Sequence, residues 1–195
     1  MGDLSRVAAV ILAAGSSRRL GRPKQLIQLD GKPLLQHVID AAQRAGVGQV
    51  VVVLGHEAER IRSATALPSH GRYVDNPQHE TGQGSSLRIG IGALGDDLDR
   101  AVILLGDEPK IASDVIARVA TGQGPIRRAT YHDGVGHPVA FDRVLWPELM
   151  TVHGDQGARV VLAAHADNVQ LVSVDAAAPV DVDTDADVSA LGVSG

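Results

Sequence analysis

The sequence predicts an α/β chain, a three-layer sandwich built on a mostly parallel central sheet. Three observations carry that expectation. Residues 7–12, 50–54 and 101–105 are continuous apolar runs of strand length, the pattern of strands covered on both faces. Segments with helical spacing lie between them. The runs also end in small or acidic residues, Ala13-Ala14-Gly15, Gly55 and Gly106-Asp107, at the edge where open α/β sheets bind ligands.

The first strand, residues 7–12, stops at Ala13-Ala14-Gly15, where small side chains let another molecule approach the backbone. The loop beyond it carries Arg18, Arg19, Arg22 and Lys24. A buried strand opening into such a loop presents N–H groups and positive charge to phosphates. The dinucleotide fingerprint Gly-x-Gly-x-x-Gly is absent. So is the P-loop, because five residues separate Gly15 from Gly21 and Gln25 follows Lys24. By composition alone, a solvated arginine loop that binds nothing fits equally well.

Residues 33–46 fit a helix: Leu34, Leu35, Val38, Ile39 and Ala42 share a face, Pro33 suits the first turn, and Gly46 suits the position past the end. The second strand, 49–54, closes at Gly55. Residues 57–64 form a short charged helix, and 72–74 a short strand ending at Asn76-Pro77. Gly82-Gln83-Gly84-Ser85-Ser86 then feeds a helix with Leu87, Ile91 and Leu94 on one face, its start offering free N–H groups and two hydroxyls. Gly90 and Gly92 each weaken that helix by about 1 kcal/mol relative to alanine. Close packing, close approach of a ligand, or ordinary helix imperfection would explain them.

The fourth strand, 101–105, runs into Gly106-Asp107-Glu108-Pro109 and sets an acid at the carboxyl edge of the sheet. Residues 113–119 are a helix with Ser113 as its N-cap. Residues 127–131 and 138–141 are strands joined by a hairpin turn across Asp133-Gly134-Val135-Gly136. Residues 147–152 and 155–165 are helical, 169–174 is a last strand, and a closing helix follows Asp181-Val182-Asp183-Thr184-Asp185. No repeat, long linker or shift in composition interrupts the chain, so residues 1–195 read as one domain.

Composition excludes several functions. With 195 residues the chain can bury a sizeable core without staples, and the lack of cysteine rules out disulfides and thiolate metal sites. No apolar run nears the ~20 residues of a membrane span, and residues 1–10 lack a signal-peptide core. A cytosolic protein with no membrane partner is expected. A net charge of −5 argues against nucleic acid, and one Phe, two Tyr and one Trp leave little for base stacking. A cationic loop on an acidic chain points instead to a small anionic ligand in one cleft.

Asp107, Asp181 and Asp183 are the candidate metal ligands. Hard carboxylate oxygens suit Mg²⁺, which binds one or two carboxylates and completes its shell with water and phosphate. The plainer alternative is a turn-forming Asp107 and a solvated acidic tail. The histidines show no zinc spacing. His137, set in Gly136-His137-Pro138, is the one worth retaining. No Gly-x-Ser-x-Gly elbow is present, which ranks hydrolase chemistry low.

Residues 12–24, Leu-Ala-Ala-Gly-Ser-Ser-Arg-Arg-Leu-Gly-Arg-Pro-Lys, resemble the signature loop of the NTP-transferase-like nucleotidyltransferases. Gly82-Gln83-Gly84-Ser85-Ser86-Leu87, Leu105-Gly106-Asp107, Gly136-His137-Pro138, Asp155-Gln156-Gly157-Ala158-Arg159 and Asp181-Val182-Asp183-Thr184 follow in the order seen in the molybdenum cofactor cytidylyltransferase branch. The resemblance extends from about residue 7 to 188.

It implies a Rossmann-like sheet of the nucleotide-diphospho-sugar transferase type and transfer of CMP from CTP to molybdopterin phosphate, with Mg²⁺ as cofactor. Under it Leu12, Ala13, Ala14, Gly15 and Gly82 frame the nucleotide, Ser86 meets cytosine, and Lys24 and Arg18 meet the phosphates. Asp107 holds the metal with Asp181 and Asp183 nearby, while His137, Asp155 and Arg159 lie on the pterin side. Guanylyltransferases of this group resemble Leu-Ala-Gly-Gly, so the Ala14 methyl narrows the base pocket toward a pyrimidine. A molybdoenzyme or its maturation chaperone would receive the product. Glu108 and Lys110 depart from the usual glutamine and apolar residue. Transfer to a sugar or polyol phosphate, or a non-catalytic cofactor carrier, are the rival readings.

Overall fold

The computed structural model describes residues 2–17 and 19–192; Arg18, an expected phosphate contact, lies outside them. β1 (Val7–Ala13) is almost wholly buried. A 3-10 turn at Lys24–Leu26 leads into a two-stranded hairpin, β2 (Gln28–Leu29) with β3 (Lys32–Pro33), which is too short for periodicity to reveal. Its turn residues Asp30 and Gly31 have φ of 49° and 76°, both left-handed, as an Asp-Gly turn of type I′ requires. α1 (Leu34–Ala45) follows and ends as expected at Gly46, whose φ of 83° is free of a Cβ penalty.

Next come β4 (Gln49–Leu54), α2 (Ala58–Ala64), β5 (Gly71–Asp75), α3 (Gln83–Gly92), β6 (Arg100–Leu105) and α4 (Ser113–Thr121). The last third holds β7 (Ile126–Tyr131), β8 (Gly134–Asp142), α5 (Trp146–Leu149), α6 (Arg159–Ala164), β9 (Val169–Ser173) and α7 (Asp185–Ala190). No helix among the described residues is long and apolar enough to cross a membrane.

Three local expectations fail. Ser113 does not cap α4; Ala112 holds the cap position and no side chain bonds there. The β7–β8 turn is tighter than expected, since β8 already begins at Gly134 and pairs it with Tyr131. Residues 155–165 are not one helix. A 3-10 turn at Gly154–Gln156 runs into Gly157 at φ 51°, ψ −135°, backbone that favours glycine, and this breaks the path before α6 begins.

The main sheet has the order β5-β4-β1-β6-β8-β7-β9. β5, β4, β1 and β6 are mutually parallel, β8 is antiparallel to both β6 and β7, and β9 runs parallel to β7. One face is covered by α1, α2 and α4 through Leu35, Val38, Ile39, Ile61, Ile116 and Val119. The other is covered by α3, α5 and α6 through Leu87, Ile91, Trp146, Leu149 and Val161. This is the expected three-layer sandwich. Gly90 proves to be a packing residue, because a methyl there would run into Val10 Cγ1 of β1. A smaller cluster, with Leu34, Ile27, Val182 and Val188, ties α7 to the start of α1.

From β1 the chain moves outward through α1 to β4 and through α2 to β5. It then returns through α3 to β6 on the opposite side of β1. The ends of β1 and β6 therefore form a switch point, where the loops part and leave a crevice.

Candidate active site

A cleft of about 520 Å³ opens at that switch point. Its floor is the end of β1 and the turn after it, Leu12, Ala13, Ala14 and Gly15, facing Leu105, Gly106 and Asp107 at the end of β6. Gly82 and Ser86 at the start of α3 form one wall, and Lys24, Asp155 and Asp183 complete the rim. The floor is tightly built: a Cβ on Gly106 would lie 2.8 Å from Ala13 Cβ, and one on Gly55 2.7 Å from the Ala14 carbonyl.

The loop after β1 is held by groups that its sequence gives little sign of. Gln25 is only 2 % exposed, and its Nε2 donates to the carbonyls of Ala13 at 2.9 Å and Gly15 at 3.1 Å. The Lys24 N–H donates to Ser17 Oγ at 3.0 Å. Together these bonds curl the loop so that Lys24 points back over the cleft. Its ammonium lies between two carboxylates, donating to Asp107 Oδ2 and, at 2.8 Å, to Asp183 Oδ1. Arg19 donates to Asp183 Oδ2 at 2.9 Å. Burial opposes the Lys24 charge, but Asp107 and Asp183 outweigh it and hold the Lys24 pKa above the ordinary lysine value. The same hydrogen bond from Lys24 holds Asp183 below the usual carboxylate range.

The α3 wall is equally ordered. Asn76, buried after β5, donates through Nδ2 to Ser85 Oγ at 2.8 Å and Ser86 Oγ at 2.9 Å. Ser85 in turn donates to the Gly82 carbonyl at 2.8 Å. Ser86 Oγ thus accepts from Asn76 and retains its proton for a carbonyl or ring nitrogen in the cleft. In the sequence Asn76 marks only the end of a strand. Its role becomes visible once β5 sets it beneath the first turn of α3.

Residues 9–169 match the family profile described as the MobA-like NTP transferase domain. The chain belongs to that family. Nicotine blue oxidoreductase of Paenarthrobacter nicotinovorans is 33% identical over 194 residues, covering 93% of this chain and 94% of that protein. The bifunctional protein GlmU of Burkholderia thailandensis is 35% identical over 138 residues, and the match spans 30% of its length. Among solved structures, Rv0371c from Mycobacterium tuberculosis H37Rv superimposes with a TM-score of 0.89 at 34% identity, over 98% of this chain and all of the other (100%). A structure of the same protein in complex with manganese gives 0.80 at 31% identity, over 95% and 97% of the two chains.

In this MobA-like NTP transferase domain the expected site residues fall into two groups. Leu12, Ala13, Ala14, Gly15, Lys24, Gly82, Ser86, Asp107, Asp155 and Asp183 share the cleft. His137, Asp181 and Arg159 do not line it. Asp181 lies toward Glu108 and His137, while Val182 between Asp181 and Asp183 donates its N–H to the Asp107 carbonyl at 3.2 Å. The Asp181 carboxyl is pushed up to about 7, first by loss of solvation, then by the charges of Asp107 and Glu108 and a hydrogen bond shared with Glu108, with His137 pulling the other way. Arg159 stands on α6 near Arg128, whose charge burial and Arg159 both disfavour. Among the described residues no group of three or more His, Asp or Glu side chains is arranged to hold a metal ion by itself. The donor set fits a hard cation shared with phosphate, which needs only one or two carboxylates.

Proposed function

We propose that this protein transfers the cytidylyl group of CTP to the phosphate of a molybdopterin-type cofactor, acting as one domain over residues 1–195. The observation that carries the reading is the Lys24 ammonium held over the switch-point cleft between Asp107 and Asp183. A cation stored against two acids, beside a backbone turn of small residues, is the arrangement that a triphosphate with its metal would rearrange. Lys24 would turn to the phosphates, and Asp107, with the Asp181–Asp183 segment, would be released to hold Mg²⁺. The ion would supply charge neutralisation on the triphosphate. The manganese complex of Rv0371c supports a divalent cation in the family.

An oxygen of the acceptor phosphate attacks the α-phosphorus, an anhydride bond forms, the bond to the β-phosphate breaks and pyrophosphate leaves. The attacking phosphate is already anionic at neutral pH, so no protein base is required. The chain's part is positioning and electrostatics. Lys24 and Arg19 face the triphosphate, and Ala13-Ala14-Gly15 and Ser86 shape the base and sugar pocket. Ala14 is 4 % exposed, and its methyl reduces the room there for a purine. The product would pass to a molybdoenzyme or its maturation chaperone.

Pyrophosphate release, followed with Mg²⁺ and either CTP or GTP, with and without molybdenum-loaded pterin, tests this reading. Release only with CTP and pterin together is expected. GTP in place of CTP overturns the base assignment, release with a sugar or polyol phosphate overturns the acceptor, and pterin binding without release leaves a carrier. A second reading, a redox role for the same nucleotide cleft, draws support from the relative covered over 94% of its length, which is named an oxidoreductase. Turnover of a redox dye by this chain, with no pyrophosphate release under any condition, would decide for it.

A further inference from the structure

In the proposed complex Ser86 reaches only the edge of the base, and the face of the base is a flat surface that calls for a flat partner. Few rings are available to it. Phe141, Trp146 and Tyr131 are buried in the core. Tyr73 lies beneath the Arg62 guanidinium, and its Oη is hydrogen-bonded to Thr65 Oγ1 at 2.7 Å. Among the described residues His79 is the one ring that lines the cleft.

His79 stands in the 3-10 turn His79–Thr81 that leads into α3. Its place is built from three directions. Gly55, at the end of β4, leaves room for its stem, since a Cβ there would stand 2.6 Å from His79 Cβ and 2.7 Å from the Ala14 carbonyl. The His79 N–H donates to the Asn76 carbonyl at 3.3 Å, and the same buried Asn76 orients Ser85 and Ser86. His56 flanks the ring, with centroids 6.2 Å apart and planes at 56°, within the range of a tilted aromatic pair. Among the described residues neither ring nitrogen of His79 has a hydrogen-bond partner, and the side chain is only half-buried. The strand order adds distance: β4 and β6 lie on opposite sides of β1. His79 over the end of β4 is therefore about two strand spacings, roughly 10 Å, from the Lys24–Asp107 pair over the end of β6. That is a span suited to a nucleotide with its phosphates at one end and its base at the other. We propose that the His79 imidazole is the platform on which the base of the bound nucleotide stacks. Stacking uses a face that every base has, so His79 adds affinity and leaves the choice of base to Ala14 and Ser86. This role rests on the nucleotide reading of the cleft and needs no particular acceptor.

Calorimetric titration of CTP with Mg²⁺ into the full chain, without acceptor, tests the platform, beside inorganic tripolyphosphate, which has no base. His79→Ala should weaken CTP about tenfold and leave tripolyphosphate within about threefold of wild type. His79→Phe, a flat ring without nitrogens, should keep CTP within about threefold of wild type. Circular dichroism checks that each variant folds. Unchanged CTP affinity in His79→Ala overturns the proposal. So does an equal loss in His79→Phe, which would make the ring nitrogens the contact. Equal weakening of tripolyphosphate overturns it too, because His79 would then act on the phosphates or on the fold. A wild type that binds neither CTP nor GTP overturns it as well. GTP binding in place of CTP, with the same pattern in the variants, leaves the platform standing and moves only the base assignment. His79-dependent nucleotide binding with no pyrophosphate release on addition of pterin would defeat the transfer reading and spare the platform. Undiminished release by His79→Ala at CTP below saturation would do the opposite.

Discussion

Lys24 is the residue on which the proposed chemistry turns, because its ammonium is already desolvated and aimed while its partners are exchangeable. Removing a well-placed electrostatic donor costs about 10²–10³ in kcat. That loss is expected for Lys24→Ala, and at least as much for Asp107→Ala, in initial rates of pyrophosphate release. Near-normal turnover in both would remove them from the machinery. Asp181 makes a separate prediction about stability. Its folded pKa of about 7 lies above the ordinary 3.8. The protonated carboxyl therefore favours the folded state below 3.8, and that advantage is lost as pH rises toward 7. Urea unfolding should show Asp181→Asn no different from wild type near pH 3.5 but more stable at pH 8, with the gain strongly reduced because Asp181 is an exposed residue and water screens its carboxyl. A flat difference across that range would show that Asp181 is ordinarily solvated.

Among the elements, α3 serves two ends at once. Its first turn forms the cleft wall, and Gly90 on its buried face lets it lie close against β1. The two glycines in this helix predict opposite outcomes. Gly90→Ala gains about 1 kcal/mol of helix propensity, but its methyl meets Val10 Cγ1 of the buried central strand and stands 3.1 Å from Val53 Cγ2. Overpacking of this kind costs about 1–3 kcal/mol, so net destabilisation is expected in denaturant titration. Gly92→Ala, whose methyl would sit 3.5 Å from Met150 Cε, should be no less stable than wild type. The hydrophobic face of α3 was legible in Leu87 and Ile91, whereas the reason for its glycines was not, because that reason lies on another element. Likewise the β2–β3 hairpin rests on two-residue strands with no period to read, although its Asp30-Gly31 turn is a recognisable signal.

At the scale of the whole molecule, the Lys24–Asp183 and Arg22–Asp185 pairs join the loop after β1 to the segment that starts α7, bringing residues far apart in sequence onto one rim. A ligand that bridges this rim stabilises the fold by mass action, about 2.7 kcal/mol at one hundred times Kd. For a chain of this length each kcal/mol raises Tm by roughly 2–4 °C. CTP with Mg²⁺ at that excess should therefore raise Tm by about 5–10 °C in a thermal scan, and GTP by less. Equal shifts would contradict a pyrimidine-selective pocket.

The buried strands, their order of use and the acid at the end of β6 could be read from the chain alone, since burial on both faces leaves uninterrupted apolar runs and sheet edges demand small or polar residues. The cationic loop, Ser86 and Asp107 were visible for the same local reason. Only the tertiary structure decided which acids act together. The strand crossover sets β6 beside β1, and the extended segment around Val182 returns to Asp107, so that Asp183 meets Lys24 while Asp181 meets Glu108. The buried Gln25 and Asn76 supports belong to that second kind. Their meaning depends on which backbone atoms and charges surround them, and spacing along the sequence does not encode it.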